Sequence, residues 1–424
     1  MEYKKYLRPR YVYLLSTIYC VVLLLVYQVQ LSDDSQSYIS AWESFRNGSI
    51  DMWRTPVYPF FLGFLNIIFG DVYYLLIAVI IQHVVFLISI RYFYLLLKIV
   101  IKNDMITLIV TAIYALCPCV QTYNCFVQTE TFAVVGTIFF LYSSFMLCKY
   151  TSFLYGIGSS FWLFFLVFLR PSSIYLIPIM LVFWLWIIIK ERKYAVRSLW
   201  IGLGGSVIVG IVLAFYVFSF KTYYGLLSPC GIGVINKYCI ARQACIIEPM
   251  VSCDVYYESN FKGCVFDHSV VGTIPDVFYE AECAISEFGL KEFSDYVSTA
   301  IKHNTYSYIK RIVINVQRSS ADRLFGVAFP EGKLMEVLTL NLNFFYVLFL
   351  LYIIVLVKWI KERKLVPFSF LLCIIGLSHM FVVFAGSPNN YDRLALQVFP
   401  VFLIMIGQLL QLIKISRSSD VDFV

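Results

Sequence analysis

The sequence predicts an all-α polytopic membrane protein with about ten transmembrane helices. Its 424 residues are 60% hydrophobic and 14% charged, and its mean hydropathy is +0.79, values that exclude an ordinary soluble domain. A helix needs roughly 20 predominantly apolar residues to cross a bilayer. Such runs recur along the chain, near residues 11–30, 73–97, 105–124, 130–148, 152–169, 172–189, 198–220, 337–357, 365–386 and 394–413.

The first apolar run, residues 11–30, is expected to remain in the protein as a transmembrane helix. It is too long for the apolar part of a cleavable signal peptide, and no small-residue cleavage site follows it.

The positions of lysine and arginine predict the orientation, because basic residues in short loops mark the cytoplasmic side. With ten helices, the basic short-loop residues fall on one side, which places both termini in the cytoplasm. These residues are Lys4, Lys5, Arg8, Arg10, Lys98, Lys102, Lys149, Lys190, Arg192, Lys193, Arg197, Lys358, Lys361, Arg363, Lys364, Lys414 and Arg417. The net charge of +7 therefore reflects membrane topology, and a nucleic-acid partner is not indicated.

Three regions are predicted. Residues 1–220 form an N-terminal transmembrane module whose first exported loop is 31–72, residues 221–336 form a large exported loop, and residues 337–424 form the closing transmembrane helices with a short cytoplasmic tail. The large loop is irregular at first and helical from about Pro275, where apolar residues recur at three- and four-residue spacing.

Half of the cysteines lie in the large exported loop. An even number in one exported segment suggests disulfides in an oxidising compartment, either a periplasm or an organelle lumen. The alternative is unpaired thiols. The candidates are Cys230, Cys239, Cys245, Cys253, Cys264 and Cys283.

The first exported loop is predicted to contain two juxtamembrane helices. The segment SQSYISAWESFRNG reads as a short amphipathic helix that ends near Asn47 and Gly48. The uncharged run between Arg54 and Gly70 is too short to span comfortably, so we expect a helix at the interface with Pro56 near its start.

Three acidic residues at exported helix ends are candidates for chemistry. Asp33 and Asp34 follow the first span, where a carboxylate can act as a general base or, as a pair, hold a divalent cation. Capping of the following helix is the alternative. Glu130 begins the fourth span, where an acid at membrane depth indicates function unless it only complements the helix dipole.

Arg54, Arg170 and Arg393 lie near exported ends of spans, where positive charge is disfavoured. Guanidinium groups suit phosphate recognition, so these arginines are candidate donor-phosphate ligands. The alternative is contact with lipid headgroups or a nearby acid.

Aromatic residues cluster beside the acidic pair. They are expected either to line a sugar or lipid groove or to belong to an interfacial aromatic belt. They are Tyr38, Trp42, Trp53 and Tyr58.

The order of these motifs resembles polytopic glycosyltransferases of the GT-C superfold. The closer resemblance is to the bacterial branch related to protein O-mannosyltransferases and the lipid A aminoarabinose transferase. The matching segments are short: Asp34-Ser35-x-x-Tyr38, Arg54-Thr55-Pro56-x-Tyr58-Pro59, Thr129-Glu130-Thr131, Leu169-Arg170-Pro171 and Asp392-Arg393 through Pro400. The chain is short for the superfold, and its cysteine-rich loop matches no known part of it.

The resemblance implies inverting transfer of a sugar from a polyprenyl-phosphate-linked donor to an acceptor hydroxyl on the exported face, with Asp34 as general base. The acceptor would be a glycan, a lipid or a protein. No tightly bound cofactor is implied; Mg or Mn at Asp33 and Asp34 is compatible with the family. The expected location is the bacterial inner membrane, among membrane lipids, with the active site on the periplasmic side. No oligomeric state is indicated.

Two other functions are compatible with the sequence. A transporter or flippase for a lipid-linked glycan would favour charged or broken helices near the bilayer midplane and internal repeats. A polysaccharide polymerase or ligase would favour a large basic exported loop. The near absence of charge within the spans argues against the first, and the mixed charge of the large loop argues against the second.

Overall fold

The computed structural model describes residues 9–150, 152–190, 196–250, 274–319, 342–361, 367–388 and 391–419. Most of these residues are helical, and the β-structure among them is an isolated bridge between Gln30 and Phe126. The predicted all-α class is confirmed. The helices are α1 Pro9–Tyr27, α2 Asp33–Arg46, α3 Val57–Val100, α4 Asp104–Leu116, α5 Pro118–Gln121, α6 Glu130–Tyr150, α7 Phe153–Leu169, α8 Leu176–Lys190, α9 Val196–Tyr224, α10 Ile232–Gln243, α11 Ile274–Phe288, α12 Leu290–His303, α13 Thr305–Ser319, α14 Leu342–Lys361, α15 Pro367–Gly386, α16 Tyr391–Ala395 and α17 Phe399–Ser419.

Six described helices are long and apolar enough to cross a membrane, and a bent pair, Asp104–Leu116 with Pro118–Cys125, would make a seventh. Helix α7 is apolar but has 17 residues, and the apolar stretch Phe368–Val383 of α15 is also short. The protein is thus a multi-pass membrane protein by helix length and composition, while the count of ten remains a prediction.

Residues 31–72, the predicted first exported loop, contain two helical segments. The backbone N–H of Ser32 donates to Oγ of Ser35 (2.9 Å) at the start of α2, and Gly48 adopts φ +74° just after the helix ends. Helix α3 begins after Pro56 and breaks at Gly70, where φ is +71° and ψ is 173°. Only glycine adopts this conformation without strain, so the segment before Gly70 can run in a different direction from the long apolar helix that follows.

The Gln30–Phe126 bridge joins the entry to α2 with the entry to α6. The Gln30 N–H donates to the carbonyl of Cys125 (2.9 Å), and the Val127 N–H donates to the carbonyl of Gln30 (3.1 Å). Because these bonds lie a few residues before Asp34 and Glu130, they bring both acids to the same end of the bundle.

Helix α6 is the centre of the membrane bundle. In its most apolar 18-residue stretch, 78% of the residues are buried within the protein. Its neighbours include α3, α7 and α17. Trp162 of α7 stacks on Phe139 of α6 with ring centroids 4.7 Å apart. A helix enclosed on all sides holds its first residue, Glu130, in a fixed position.

Helices α10, α11 and α12 form a small helical unit with a core of its own. Its interior contains an ion pair between Arg242 and Glu280 (Nε–Oε1 3.3 Å), whose side chains are 2% and 4% exposed. Tyr224, the last residue of α9, packs against this core and donates its hydroxyl to the carbonyl of Ile50 (2.6 Å) in the loop between α2 and α3.

Four of the six disulfide candidates are described, and each carries a free thiol: Cys230, Cys239, Cys245 and Cys283. Cys253 and Cys264 lie outside the described residues. A disulfide between any two of the four is therefore not formed, and pairing with Cys253 or Cys264 stays a prediction.

Candidate functional site

The carboxylate of Asp34 lies between two guanidinium groups. Arg54 Nη2 donates to Oδ1 (2.6 Å), and Arg393 Nη1 donates to Oδ2 (2.5 Å). The three residues come from the first turn of α2, the loop before α3 and the short helix α16. Each oxygen of the predicted catalytic carboxylate thus accepts a hydrogen bond from a positively charged arginine.

Glu130 forms a second centre deeper in the bundle. Its Oε1 accepts from Arg170 Nη2 (2.8 Å), and Arg393 Nε lies 3.3 Å from the same oxygen. The Glu130 and Arg170 side chains are 3% and 9% exposed. Arg393 therefore links Asp34 with Glu130, and the structure brings these two predicted acids and the three predicted arginines into one cluster.

Backbone and side-chain contacts hold Arg54 in place. Its Nε donates to Oγ of Ser37 (2.7 Å), and its guanidinium lies over the ring of Tyr38, 4.1 Å from the centroid. Its backbone N–H donates to Oδ1 of Asp51 (2.7 Å). Arg54 is therefore oriented before any ligand binds.

The cluster carries an excess of positive charge. Burial alone would raise the pKa of Asp34, but Arg393 and Arg54 outweigh burial and hold that pKa below its ordinary value. Among the described side chains, the two carboxylates of Asp34 and Glu130 face three guanidinium groups, which leaves one net positive charge. Such a site suits an anion with several oxygens.

The same charges do not suit a divalent cation. The carboxylate oxygens of Asp34 face arginines, and no group of three or more His, Cys, Asp or Glu suited to a metal occurs in the described part of the chain. The Asp33 side chain lies outside the described residues. The described residues therefore do not fit the Mg or Mn that the resemblance allowed at Asp33 and Asp34.

Three buried polar atoms of the cluster have no hydrogen-bond partner among the described residues, namely Oε2 of Glu130, Nη1 of Arg170 and Nε of Arg393, the last of which has only its ion-pair contact with Glu130. Leaving a buried polar atom unpaired costs about 1–3 kcal/mol, so native proteins rarely do so without a water, an ion or a ligand. These atoms indicate that the cluster has remaining capacity to bind polar groups.

The four predicted groove aromatics have different roles. The ring of Tyr38 lies beneath the guanidinium of Arg54. The ring of Tyr58 packs edge-on against the Tyr38 ring, with the two centroids 5.1 Å apart. Tyr58 is 1% exposed and cannot line an open groove. Its hydroxyl donates to Oε1 of Gln82 (2.8 Å).

The two tryptophans are packing residues. A Cβ on Gly63 would lie 1.9 Å from the Trp42 ring, so the glycine lets α2 rest on α3. Trp53 packs against Gly231, the residue before α10. Neither tryptophan contacts the acids or the arginines through any recorded interaction.

Gln82 supports the site and was missed at the level of sequence. Its amide nitrogen donates to the carbonyls of Asn124 (2.9 Å) and Phe126 (2.8 Å), just before α6. The available signal was an amide side chain within the apolar run of residues 73–97.

Neither protein-family models nor curated protein sequences give a match to this chain. Solved structures do match its fold. The archaeal oligosaccharyltransferase AglB from Archaeoglobus fulgidus, in complex with an inhibitory peptide and a dolichol-phosphate, has a TM-score of 0.51 and 16% identity, covering 97% of this chain and 51% of that one. The A. fulgidus oligosaccharyltransferase tethered with an acceptor peptide containing the NVT sequon has a TM-score of 0.50 and 14% identity, covering 95% and 49%.

The chain spans about half the length of these oligosaccharyltransferases. At such low identity the likeness concerns the fold, and it does not distinguish the bacterial branch named above. The chain therefore shares the fold of these oligosaccharyltransferase structures.

Proposed function

We propose that this chain is a membrane glycosyltransferase that moves a sugar from a polyprenyl-phosphate-linked donor to an acceptor hydroxyl. The observation that carries the proposal is the cluster in which Asp34 lies between Arg54 and Arg393. Arginines that bind a carboxylate can also bind phosphate, because the oxygens of both groups accept two parallel N–H···O hydrogen bonds from a guanidinium. The fold shared with the oligosaccharyltransferase structures supports this assignment, as does the dolichol-phosphate in the AglB complex.

In this proposal the donor phosphate competes with Asp34 for the arginines. Arg54 and Arg393 are both partly exposed, at 13% and 24% of the side chain, whereas Arg170 and Glu130 are more deeply buried. The first two are thus better placed to change partner. Once they turn to phosphate, Asp34 loses its neighbouring positive charge, and its pKa rises toward the ordinary value.

The released carboxylate is the proposed general base. An Asp34 oxygen takes the proton of the acceptor hydroxyl while the oxygen of that hydroxyl bonds to the anomeric carbon. The bond between the anomeric carbon and the phosphate oxygen breaks, and its electron pair leaves with the polyprenyl phosphate. Attack from the opposite side inverts the anomeric centre, and the arginines stabilise the charge that develops on the leaving phosphate.

The setting follows the sequence-based expectations. The site would lie on the exported face of a bacterial inner membrane, with both termini cytoplasmic, and the polyprenyl tail would lie among the apolar helices. Hydroxyls of glycans, lipids and proteins all fit the acceptor role. Because the described residues do not fit a divalent metal, no step of this mechanism uses one.

The experiment is transfer of a labelled sugar from polyprenyl-phosphate donors, catalysed by the purified protein in lipid bilayers. Loss of a general base typically costs 10²- to 10⁴-fold in rate, so we expect a fall of about 10²-fold or more for Asp34→Asn. Asp71→Asn is the matched control, because Asp71 lies in the same exported loop and pairs with Asn66 (2.7 Å) away from the cluster. Full activity in Asp34→Asn contradicts the assignment, whereas loss of activity when a chelator is added would contradict the metal-free mechanism.

A further inference from the structure

His379 of α15 connects the two segments that carry Arg170 and Arg393. The ring is fully buried (0% exposed). Its Nε2 lies 3.0 Å from the carbonyl oxygen of Leu394, the residue after Arg393. Its Nδ1 lies 3.2 Å from the hydroxyl of Tyr175, five residues after Arg170.

The partners fix which nitrogen carries the proton. A carbonyl oxygen can only accept a hydrogen bond, so Nε2 is the N–H that donates to Leu394. In a neutral ring Nδ1 is then an acceptor, and the Tyr175 hydroxyl donates to it. Both ring nitrogens are thereby satisfied.

A second hydrogen bond joins the same two segments. Gln397 Nε2 donates to Oγ of Ser173 (2.8 Å), and Ser173 follows Arg170 by three residues. The Ser173 N–H also donates to the carbonyl of Arg170 (2.9 Å), which closes a tight turn at the arginine. The turn after Arg170 and the segment after Arg393 are therefore held at a fixed separation.

We propose that His379 is a positioning residue that sets the separation of Arg170 and Arg393 and so shapes the donor-phosphate site. The inference rests on the proposed function. Arg170 and Arg393 both contact Oε1 of Glu130, so a shift of either segment changes where their remaining donors point. His379 itself has no recorded contact with either acid, and it acts through the backbone beside Arg393.

The test uses two substitutions that separate the two halves of the ring. In His379→Gln the amide nitrogen reaches the place of Nε2 and keeps the donor to Leu394, whereas His379→Asn reaches only the place of Nδ1 and loses it. Tyr352→Phe is the control for loss of a buried hydrogen bond, because Tyr352 bonds the Gln408 side chain elsewhere in the bundle. Affinity is measured with polyprenyl phosphate alone, and KM and kcat with the sugar donor.

We expect His379→Asn to weaken the affinity for polyprenyl phosphate about tenfold. KM for the sugar donor should rise while kcat changes little, as expected when ground-state binding is lost. His379→Gln should bind polyprenyl phosphate as tightly as wild type. Tyr352→Phe should also bind as tightly as wild type, although its melting temperature should be similar to that of His379→Asn. If His379→Asn, His379→Gln and Tyr352→Phe all weaken binding equally, His379 has only a structural role and the inference is wrong.

A further variant separates this inference from the function on which it rests. If Arg393→Ala weakens binding but His379→Asn does not, the positioning role alone is refuted. If Arg393→Ala itself leaves binding unchanged, the cluster is not a phosphate site, and the proposed function and the inference both fail.

Discussion

Replacement of Arg393 by alanine tests whether the cluster binds an anion. The side chain is 24% exposed and contacts both Asp34 (2.5 Å) and Glu130 (3.3 Å). Removing one partner of a fully buried ion pair costs about 3–5 kcal/mol. Here each acid keeps another arginine, Arg54 for Asp34 and Arg170 for Glu130, so we expect a smaller loss of unfolding free energy, about 1–3 kcal/mol.

The effect on phosphate affinity should be similar in size to the effect on folding. A hydrogen bond to a charged group contributes about 1.5–3 kcal/mol, which corresponds to about a 10- to 100-fold weaker Kd for polyprenyl phosphate. In addition, Asp34 would face the phosphate with one neighbouring guanidinium fewer. Arg393→Lys should give an intermediate loss, because a lysine lacks the planar fork that reaches two partners.

The assay is titration of the purified protein in lipid nanodiscs with polyprenyl phosphate. Arg46→Ala is the matched control, since Arg46 is exposed and is the last residue of α2, the helix whose first turn contains Asp34. A general effect of positive charge near the membrane would weaken both variants equally. Equal affinity of Arg393→Ala and wild type would refute the reasoning.

Three further predictions concern the packing and charge around the site. Gly63→Ala should destabilise the protein and lower transfer, because the new Cβ would lie 1.9 Å from the Trp42 ring; the double variant Gly63→Ala with Trp42→Leu should recover the melting temperature, and no recovery would contradict the contact. Arg242→Met should cost about 3–5 kcal/mol, whereas Arg242→Met with Glu280→Leu should be nearly neutral, because only the single variant leaves a buried charge unpaired; unfolding of the purified variants distinguishes these outcomes. The folded-state pKa of Asp34 is lowered, so its ion pairs contribute stability that is fully present above the unfolded pKa of about 3.9 and that declines as the pH falls from there through the lower folded pKa; the stability difference between wild type and Asp34→Asn should persist at pH 7 and begin to shrink toward pH 3, and a difference that grows on acidification would contradict the pairing.

The fold class follows from physics that is visible in the sequence. Apolar runs of about 20 residues must bury their backbone polar groups in helices, which is why the all-α class could be predicted. The end of the first exported helix near Gly48 and the helix start near Pro56 follow from glycine and proline chemistry, and the structure has both.

The meeting of the acids could be anticipated, but the pairing of charges could not. Topology placed Asp34 and Glu130 at the same face, and the structure joins them through Arg393. Asp34 and Arg393 are 359 positions apart, and one sequence contains no signal for a contact of that range. The arginines were therefore assigned to phosphate, and their pairing with acids appeared only as an alternative.

The tryptophans show why nearness in sequence is a weak guide to a site. Trp42 and Trp53 lie within a few residues of the acids and of Arg54, yet they face Gly63 and Gly231. A glycine that admits a ring from another segment looks the same in sequence as a glycine that ends a helix. Packing of this kind depends on the three-dimensional arrangement of the segments, which the local pattern does not encode.

The most direct test of the account is an experimental structure of the protein with polyprenyl phosphate bound. The account predicts that phosphate oxygens lie within hydrogen-bond distance of the Arg393 and Arg54 guanidinium groups and that Arg393 has left Asp34. A phosphate bound elsewhere, with Arg393 Nη1 still about 2.5 Å from Asp34 as in the present structure, would contradict it.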